Sequence, residues 1–276
     1  MSDAAAGVQA YKALERAGWS EKADTYGLLT GRITARLVEP LLDAAGAAAG
    51  MHVLDVGTGP GYAARRAAER GAVATGVDIA EEMVALARRR NGGIRFLRAD
   101  AEELPFPDRS FDAVVGNLVV NHLPSPDGAV REFVRVLRPE GALALSTWDL
   151  PERNRFLGIL VDALAECGVP RAREASAGPD PYRFAYDDKF RALLRGAGCE
   201  DVEIRSVSLT HRVGDTNQLW QGLLGGSVRT AALVMRQSPG TRRKVRGAVQ
   251  RLAEDYRNDG KLDIPVRAKI ARGRKP

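Results

Sequence analysis

The sequence is poor in cysteine: Cys167 and Cys199 stand alone among 276 residues with no CxxC pattern. A disulfide framework and a structural zinc site are therefore not expected, and both cysteines read as packing residues. Histidine is scarce as well, with His52, His122 and His211 forming no two-His-one-carboxylate set, so metal-independent chemistry is expected. No apolar run approaches the ~20 residues that span a bilayer, and the opening MSDAAAGVQAYKALE lacks a basic region followed by an apolar core. The expected location is the cytoplasm, without a membrane partner. Internal repeats are missing, and Ala44–Ala49 is the one alanine-rich stretch, read as a helix finishing before a strand. What remains is a chain with 45% apolar and 28% charged residues, enough core for one elaborated domain and too much for disorder.

Charge is distributed unevenly. Residues 236–276 carry 13 Lys/Arg against 4 Asp/Glu, a net +9 that leaves −3 for residues 1–235 of a chain whose total is +6. Such a cluster suits either an anionic partner or a solvated helical face.

Residues 8–48 show helical spacing, with Ile33, Leu37, Val38, Leu41 and Leu42 recurring on one side. The chain then changes regime. His52–Val56, Ala72–Asp78, Ile94–Ala99, Asp112–Asn117 and Ala142–Trp148 are short apolar runs, with helix-patterned segments such as Ala80–Arg90 and Gly128–Leu137 between several of them. This alternation predicts an α/β fold, a Rossmann-like doubly wound, mostly parallel sheet. After Pro151 helices are expected over 153–167 and 187–197, a strand over Glu200–Arg212, about fifty residues of helical character, and a last strand around Ile264–Ile270. The expected domains are a helical N-terminal segment at 1–50, a core at 51–150, and a completion of the sheet at 151–276 with a helical insertion at about 214–263.

The strongest chemical signal is VLDVGTGPGY, in which a strand ends at Asp55-Val56 and Gly57, Gly59 and Gly61 open a helix. Glycines here permit a sharp turn and the close approach of a ligand to the backbone. The spacing is G-x-G-x-G rather than the dinucleotide G-x-G-x-x-G. Asp55, just ahead of the glycines, would repel a pyrophosphate and attract an ammonium group. Asp78 ends the second strand, where a carboxylate accepts from both hydroxyls of a ribose, and Asp100 ends the third. Each acid alone also fits a helix cap or a surface position. Together, at three successive strand ends, they fit a nucleoside carrying an amino group.

Across Val53–Trp148 the motifs VLDVGTGPG, GVDIAEEMV, ADAEELPFPDRSFDAVV, NHLPSP and VLRPEGALALSTW resemble the class I S-adenosylmethionine-dependent methyltransferases, closest in style to the ubiquinone/menaquinone and small-molecule biosynthetic branch. The resemblance implies that S-adenosylmethionine is the cofactor and S-adenosylhomocysteine the product, cradled by Gly57, Gly59 and Gly61 with Asp55 near the amino acid moiety. It implies Asp78 at the ribose, Ile79 and Met83 beside the adenine, Asp100 and Ala101 at its edge, and Asn117 near the methionine part. The N-terminal helices, with Trp19 and Tyr26, resemble the family's lid.

A sulfonium methyl needs an aligned nucleophile and, for a hydroxyl or acidic carbon, a base. His122 in NHLPSP is the candidate base, with a structural loop histidine as the other reading, and Tyr26 and Tyr11 are alternative proton acceptors or orienting groups. Substrate contacts are expected from Trp19, Trp148 and Trp220, the last in LWQGLLGGSVRTAALVM, a stripe that reads as core or as pocket wall. As a cover that must open, the insertion is expected to be less stable than the sheet. Arg229, Arg236, Arg242, Arg243 and Lys244 suit an anionic acceptor group or plain solvation. The expected activity is methyl transfer to oxygen or carbon of a hydrophobic small molecule in biosynthetic, secondary metabolism. An RNA or other macromolecular acceptor is the alternative, against which GNLVVNHL contains no [DN]PP[YFW] motif and neither cysteine follows a proline. A relative that binds the cofactor without methylating, regulatory or cyclase-like, is the third reading.

Overall fold

A computed structural model describes residues 3–170 and 178–276. Helices α1 (Asp3–Lys22), α2 (Thr30–Ala35) and α3 (Val38–Ala44) precede the sheet. Strands β1 (His52–Val56), β2 (Val73–Asp78), β3 (Arg95–Arg98), β4 (Phe111–Gly116) and β5 (Leu137–Trp148) are parallel to one another, and α4 (Tyr62–Glu69), α5 (Glu81–Arg90) and α6 (Pro126–Val136) lie between them. The chain continues through α7 (Arg155–Glu166), α8 (Asp187–Gly196) and β6 (Glu200–Val213). It then runs through α9 (Thr216–Gly225), α10 (Arg229–Met235), α11 (Pro239–Ala253), β7 (Arg257–Asn258) and β8 (Lys261–Arg274).

Among the described residues the eight strands form one sheet in the order β3-β2-β1-β4-β5-β8-β6, with β7 paired to β8. Strand β8 runs antiparallel to both β5 and β6. The order reverses between β1 and β4, and in open α/β sheets ligands bind beyond the carboxyl ends of the strands at such a reversal. Central β1 is buried at every position after His52, as a strand covered on both faces must be, whereas outer β6 alternates. Leu41, Leu42, Ala64, Ala67 and Val84 cover one face, and Phe133 of α6 with Phe190 of α8 covers the other.

The two late strands carry the sheet past its ligand edge. Strand β5 ends at Trp148, opposite Ala268, while β8 and β6 continue paired to Leu262 and Val213, about 20 Å further at the usual rise per residue. Helices α9–α11 leave from that far end. Asp215 caps α9 through the Gln218 amide at 2.7 Å, and Ser238 caps α11 through the Thr241 amide at 3.1 Å, with Pro239 in its first turn. The helical character ends earlier than the sequence suggested, because Asp259 and Gly260 adopt positive φ and turn β7 back onto β8. The last strand is correspondingly longer than Ile264–Ile270.

Candidate active site

A cavity of about 470 Å³ lies on the ligand edge. Its floor is the loop after β1. Gly57 and Gly59 have φ of +65° and +50°, a region that side chains avoid. A Cβ at Gly57 would meet Val119 Cγ2 at 2.5 Å, whereas at Gly59 it would stand in open space with no protein atom within 4 Å. Both line the cavity. Gly61 does not: it begins α4 with φ +84°, and a Cβ there would meet Asn91 Nδ2 at 2.5 Å, so its requirement is packing.

Asp55 also lies outside the cavity wall. It is buried beneath the loop, where its Oδ2 accepts from Thr58 Oγ1 at 2.6 Å and from the Ala64 amide at 3.0 Å, tying the glycine loop to α4. Burial pushes its pKa up to about 7, against the pull of these two bonds and with a smaller upward push from Asp78. The carboxylate expected to attract an ammonium group is thus turned to the loop and α4 rather than to the cavity. Asp78 does face the cavity. The Gly59 amide donates to its Oδ2 at 2.9 Å and the Ala80 amide to its Oδ1 at 3.0 Å, which leaves lone pairs on both oxygens for hydroxyl groups. Enclosure raises its pKa more than these amide bonds lower it.

Ile79, Met83, Asp100 and Ala101 continue the wall, followed by Asn117 and the turn that carries His122. Asn117 is held from both ends, donating to the Thr34 carbonyl at 3.0 Å and accepting from Ser146 Oγ at 2.7 Å. The next residue, Leu118, has φ +64°, an unfavourable conformation for a leucine that is pinned by its amide donating to Ser146 Oγ at 2.8 Å. Thr147 Oγ1 donates to Asn121 Oδ1 at 2.7 Å, anchoring the turn to β5 beside His122.

Over this floor lies α1, whose Lys12, Glu15 and Trp19 share one face at helical spacing and line the cavity. Lys12 Nζ reaches Asp100 Oδ2 and Glu102 Oε2, both at 2.7 Å. Burial works against its charge, but these two partners outweigh it and raise the pKa. The Trp19 ring stands edge-on to Tyr26 at 5.8 Å and to His122 at 5.1 Å. Tyr26 lines the cavity too, with its hydroxyl 3.0 Å from Thr34 Oγ1, and burial pushes its pKa up. A phenol shifted in that direction suits a donor or orienting group better than a base; Tyr11 is shifted the same way, chiefly by burial.

The far end is apolar: Trp148 packs against Phe156 at 6.4 Å, joined by Leu157 and Val161 of α7, Tyr182, and Leu233 of α10. The insertion contributes Gly226–Thr230 rather than Trp220, which is 7% exposed inside the cluster formed with Phe156, Leu219, Leu223 and Val249. Trp220 was expected at the substrate; it is one of the core residues that fix α9 against α7 and α11. Of the five basic residues flagged, Arg229 reaches the cavity wall, and Arg236, Arg243 and Lys244 are exposed. The site residues not anticipated are Lys12, Glu15, Thr30, Thr34 and the α7 wall. The i, i+3, i+7 spacing of Lys12, Glu15 and Trp19 was a signal for the first two.

A glycine floor open to a ligand, an enclosed carboxylate with spare acceptors and an adjoining apolar wedge fit a nucleoside-bearing cofactor, and the strand order is that of a doubly wound nucleotide-binding fold. A family described as a methyltransferase domain matches residues 54–145. The 27-O-demethylrifamycin SV methyltransferase of Amycolatopsis mediterranei is 34% identical over 197 residues, spanning 69% of this chain and 67% of that relative. A demethylmenaquinone methyltransferase of Tropheryma whipplei is 34% identical over 174 residues, spanning 59% and 72%. Among solved structures the YcgJ protein of Bacillus subtilis superposes with a TM-score of 0.54 at 21% identity over 87% of this chain and 98% of that one, a similarity of fold. The chain belongs to the class I S-adenosylmethionine-dependent methyltransferases, and S-adenosylmethionine is its cofactor. Relatives of this kind act on small molecules. No helix among the described residues is long and apolar enough to cross a membrane.

Proposed function

We propose that this enzyme methylates an oxygen or an acidic carbon of a bulky hydrophobic small molecule in cytoplasmic biosynthetic, secondary metabolism. The observation that carries this reading is the continuity of one cavity from Gly57, Gly59 and Asp78 to the apolar chamber of Trp148, Phe156 and Leu233. Gly57 and Gly59 give the cofactor close access to backbone, Asp78 takes the ribose hydroxyls, Ile79 and Met83 flank the adenine, Asp100 and Ala101 meet its edge, and Asn117 lies by the methionine part. Asp55 supports the loop from below. When bound, the cofactor supplies a methyl group on a positively charged sulfur, already activated for displacement. The chain's own contribution is alignment, exclusion of water and removal of a proton. His122, at the junction of the two ends, accepts the acceptor's proton; Tyr26 donates and orients; Trp19 and Trp148 bound the acceptor. Helix α1 acts as the lid over the cofactor, and α9–α11 roof the acceptor.

The basic tail does not by itself separate this reading from a macromolecular one. Its side chains are engaged along the sheet edge and the insertion: Arg251 with Glu166, Arg267 with Asp149, Lys269 with Asp187, and Arg274 with Glu140 and Asp201. These pairs tie part of the basic charge to the fold, while Arg236, Arg243 and Lys244 stay exposed, so the choice between acceptors rests on the apolar chamber and on a methyl-transfer assay. The test is transfer of labelled methyl from S-adenosylmethionine to a panel of a naphthohydroquinone, polyketide phenols, and an RNA transcript. Label in an apolar aromatic with S-adenosylhomocysteine released is expected. Label in RNA alone, or cofactor binding without S-adenosylhomocysteine from any acceptor, contradicts the proposal.

A further inference from the structure

Glu15 is 3% exposed, on a helix whose other buried side chain among the described positions is Tyr11. A helix that docked only for stability would gain more from an apolar residue there, since a buried carboxylate must be compensated by strong hydrogen bonds. One oxygen, Oε2, makes both of its hydrogen bonds, accepting from Trp19 Nε1 at 3.0 Å and meeting His122 Nδ1 at 3.1 Å. Oε1 has no hydrogen-bond partner among the described residues. Burial opposes the charge on Glu15, but His122, by charge and hydrogen bond, leads the groups that outweigh it and hold the carboxyl below its ordinary range. An ionised carboxylate can only accept, so His122 Nδ1 carries a proton in either charge state of the ring, and in the neutral ring Nε2 carries the lone pair. Trp19, edge-on to the imidazole, closes the other side.

We propose that Glu15 is the positioning residue for His122, fixing the imidazole as the Nδ1–H tautomer so that Nε2 receives the acceptor's proton. The proposal rests on the reading of His122 as the base. The pair spans two separate units, since Glu15 sits on α1 and His122 on the turn after β4, 107 positions apart. Docking of α1 therefore completes the base. Two further contacts set that docking: the bridge from Lys12 to Asp100, and the close fit of Gly18 on Val228, where a Cβ would lie 2.3 Å from Cγ1. When α1 lifts, the imidazole loses its orientation together with its cover, and proton removal is confined to the closed site.

The test uses the full chain with S-adenosylhomocysteine bound and ¹⁵N-labelled histidine. Wild type is expected to show His122 as the Nδ1–H tautomer at a pH where the ring is neutral. Glu15→Met, close in volume but unable to accept, is expected to lose that signature, and Glu15→Gln, which keeps an acceptor oxygen, to restore part of it. With whichever panel acceptor is methylated, kcat should fall roughly tenfold to a hundredfold in Glu15→Met with KM and S-adenosylhomocysteine affinity within about twofold, and Glu15→Met combined with His122→Ala should be no slower than His122→Ala alone. An Nε2–H tautomer in wild type, or a signature unchanged in Glu15→Met, overturns the positioning role without reference to turnover. Full activity in His122→Ala instead removes the base reading on which it rests.

Discussion

Helix α1 and the insertion α9–α11 wall the same cavity but are attached to it by different proportions of apolar and polar contact. The insertion is held by Leu219, Trp220, Leu223, Val234, Val245 and Val249, all buried with α7 and the ends of β6 and β8. Each such side chain contributes on the order of 1.5–3 kcal/mol when fully buried. Helix α1 has a smaller apolar footing, Tyr11, Gly18 on Val228 and Trp19 against Met83 and Tyr26, and adds polar contacts from Lys12 to Asp100 and Glu102, Glu15 to His122, and Ser20 to Glu82. The net contribution of such pairs is small, because desolvation and side-chain ordering offset their attraction. The insertion was expected to be the cover that opens. Its packing argues the reverse: local opening costs less at α1, and the insertion stays with the sheet as a fixed roof. On the proposed function, entry to the site is then governed by the element that also completes the His122 pair.

The sharpest way to break this contrast is to weaken the roof. Trp220→Ala should cost about 3–5 kcal/mol of unfolding free energy in urea titration, as truncation of a buried tryptophan does, while S-adenosylhomocysteine affinity in the folded enzyme changes little. A cost below about 1 kcal/mol would mean that the insertion is as loosely held as α1. Next in size is a change on the floor, which belongs to neither cover. Asp78→Ala should weaken S-adenosylhomocysteine binding by about 1.5–3 kcal/mol in calorimetry with the fold intact, the range for losing hydrogen bonds to a charged group.

A smaller effect comes from Asp55. Because burial raises its folded-state pKa from 3.8 to about 7, its contribution to stability is fully present below about pH 4 and is lost as pH rises through 7. Asp55→Asn keeps an oxygen for Thr58 and Ala64 but cannot ionise. The fall in melting temperature between pH 5 and 9 should become shallower by several degrees, at roughly 2–4 °C per kcal/mol in a chain of this size and about 1.4 kcal/mol for each pH unit up to the folded pKa. Asp78, raised in the same direction, keeps part of the slope. The smallest effect on global stability is expected from Lys12→Met, under about 1 kcal/mol by urea titration. That same substitution should speed amide exchange throughout α1 and leave α9–α11 unchanged, so it separates the two covers where global stability does not.

The floor of the site was legible in the sequence because it is local. A strand end, three glycines and the acids Asp78 and Asp100 occur at fixed intervals along the β–α units, and the structure brings Gly57, Gly59, Asp78, Ile79, Met83, Asp100, Ala101 and Asn117 to one wall. The strands His52–Val56 and Glu200–Arg212 followed from apolar runs and from alternation in the same way, the second ending one residue later in the structure. The covers were less legible. Glu15 meets His122 across 107 positions, and no periodicity within α1 names a partner that distant. Trp220 sits in a stripe apolar on several sides, and such a stripe does not tell which side faces a cavity and which a neighbouring helix. Asp55 and Gly61 occupy motif positions but face α4 and Phe96, since a loop of alternating glycines turns only part of its backbone outward. The length of β8 escaped because its ends, Lys261–Asp263 and Arg272–Arg274, are charged, and their pairing with β5, β6 and β7 rather than their hydrophobicity makes them strand.

Native-state hydrogen exchange of the intact chain, with and without S-adenosylhomocysteine, tests the contrast between the covers most directly. The account predicts that α1 amides exchange through a local opening of lower free energy than those of α9–α11, and that S-adenosylhomocysteine slows α1 well beyond its effect on α11. Exchange of α1 and α9–α11 in a single step, at the free energy of global unfolding and with equal protection by S-adenosylhomocysteine, would contradict it.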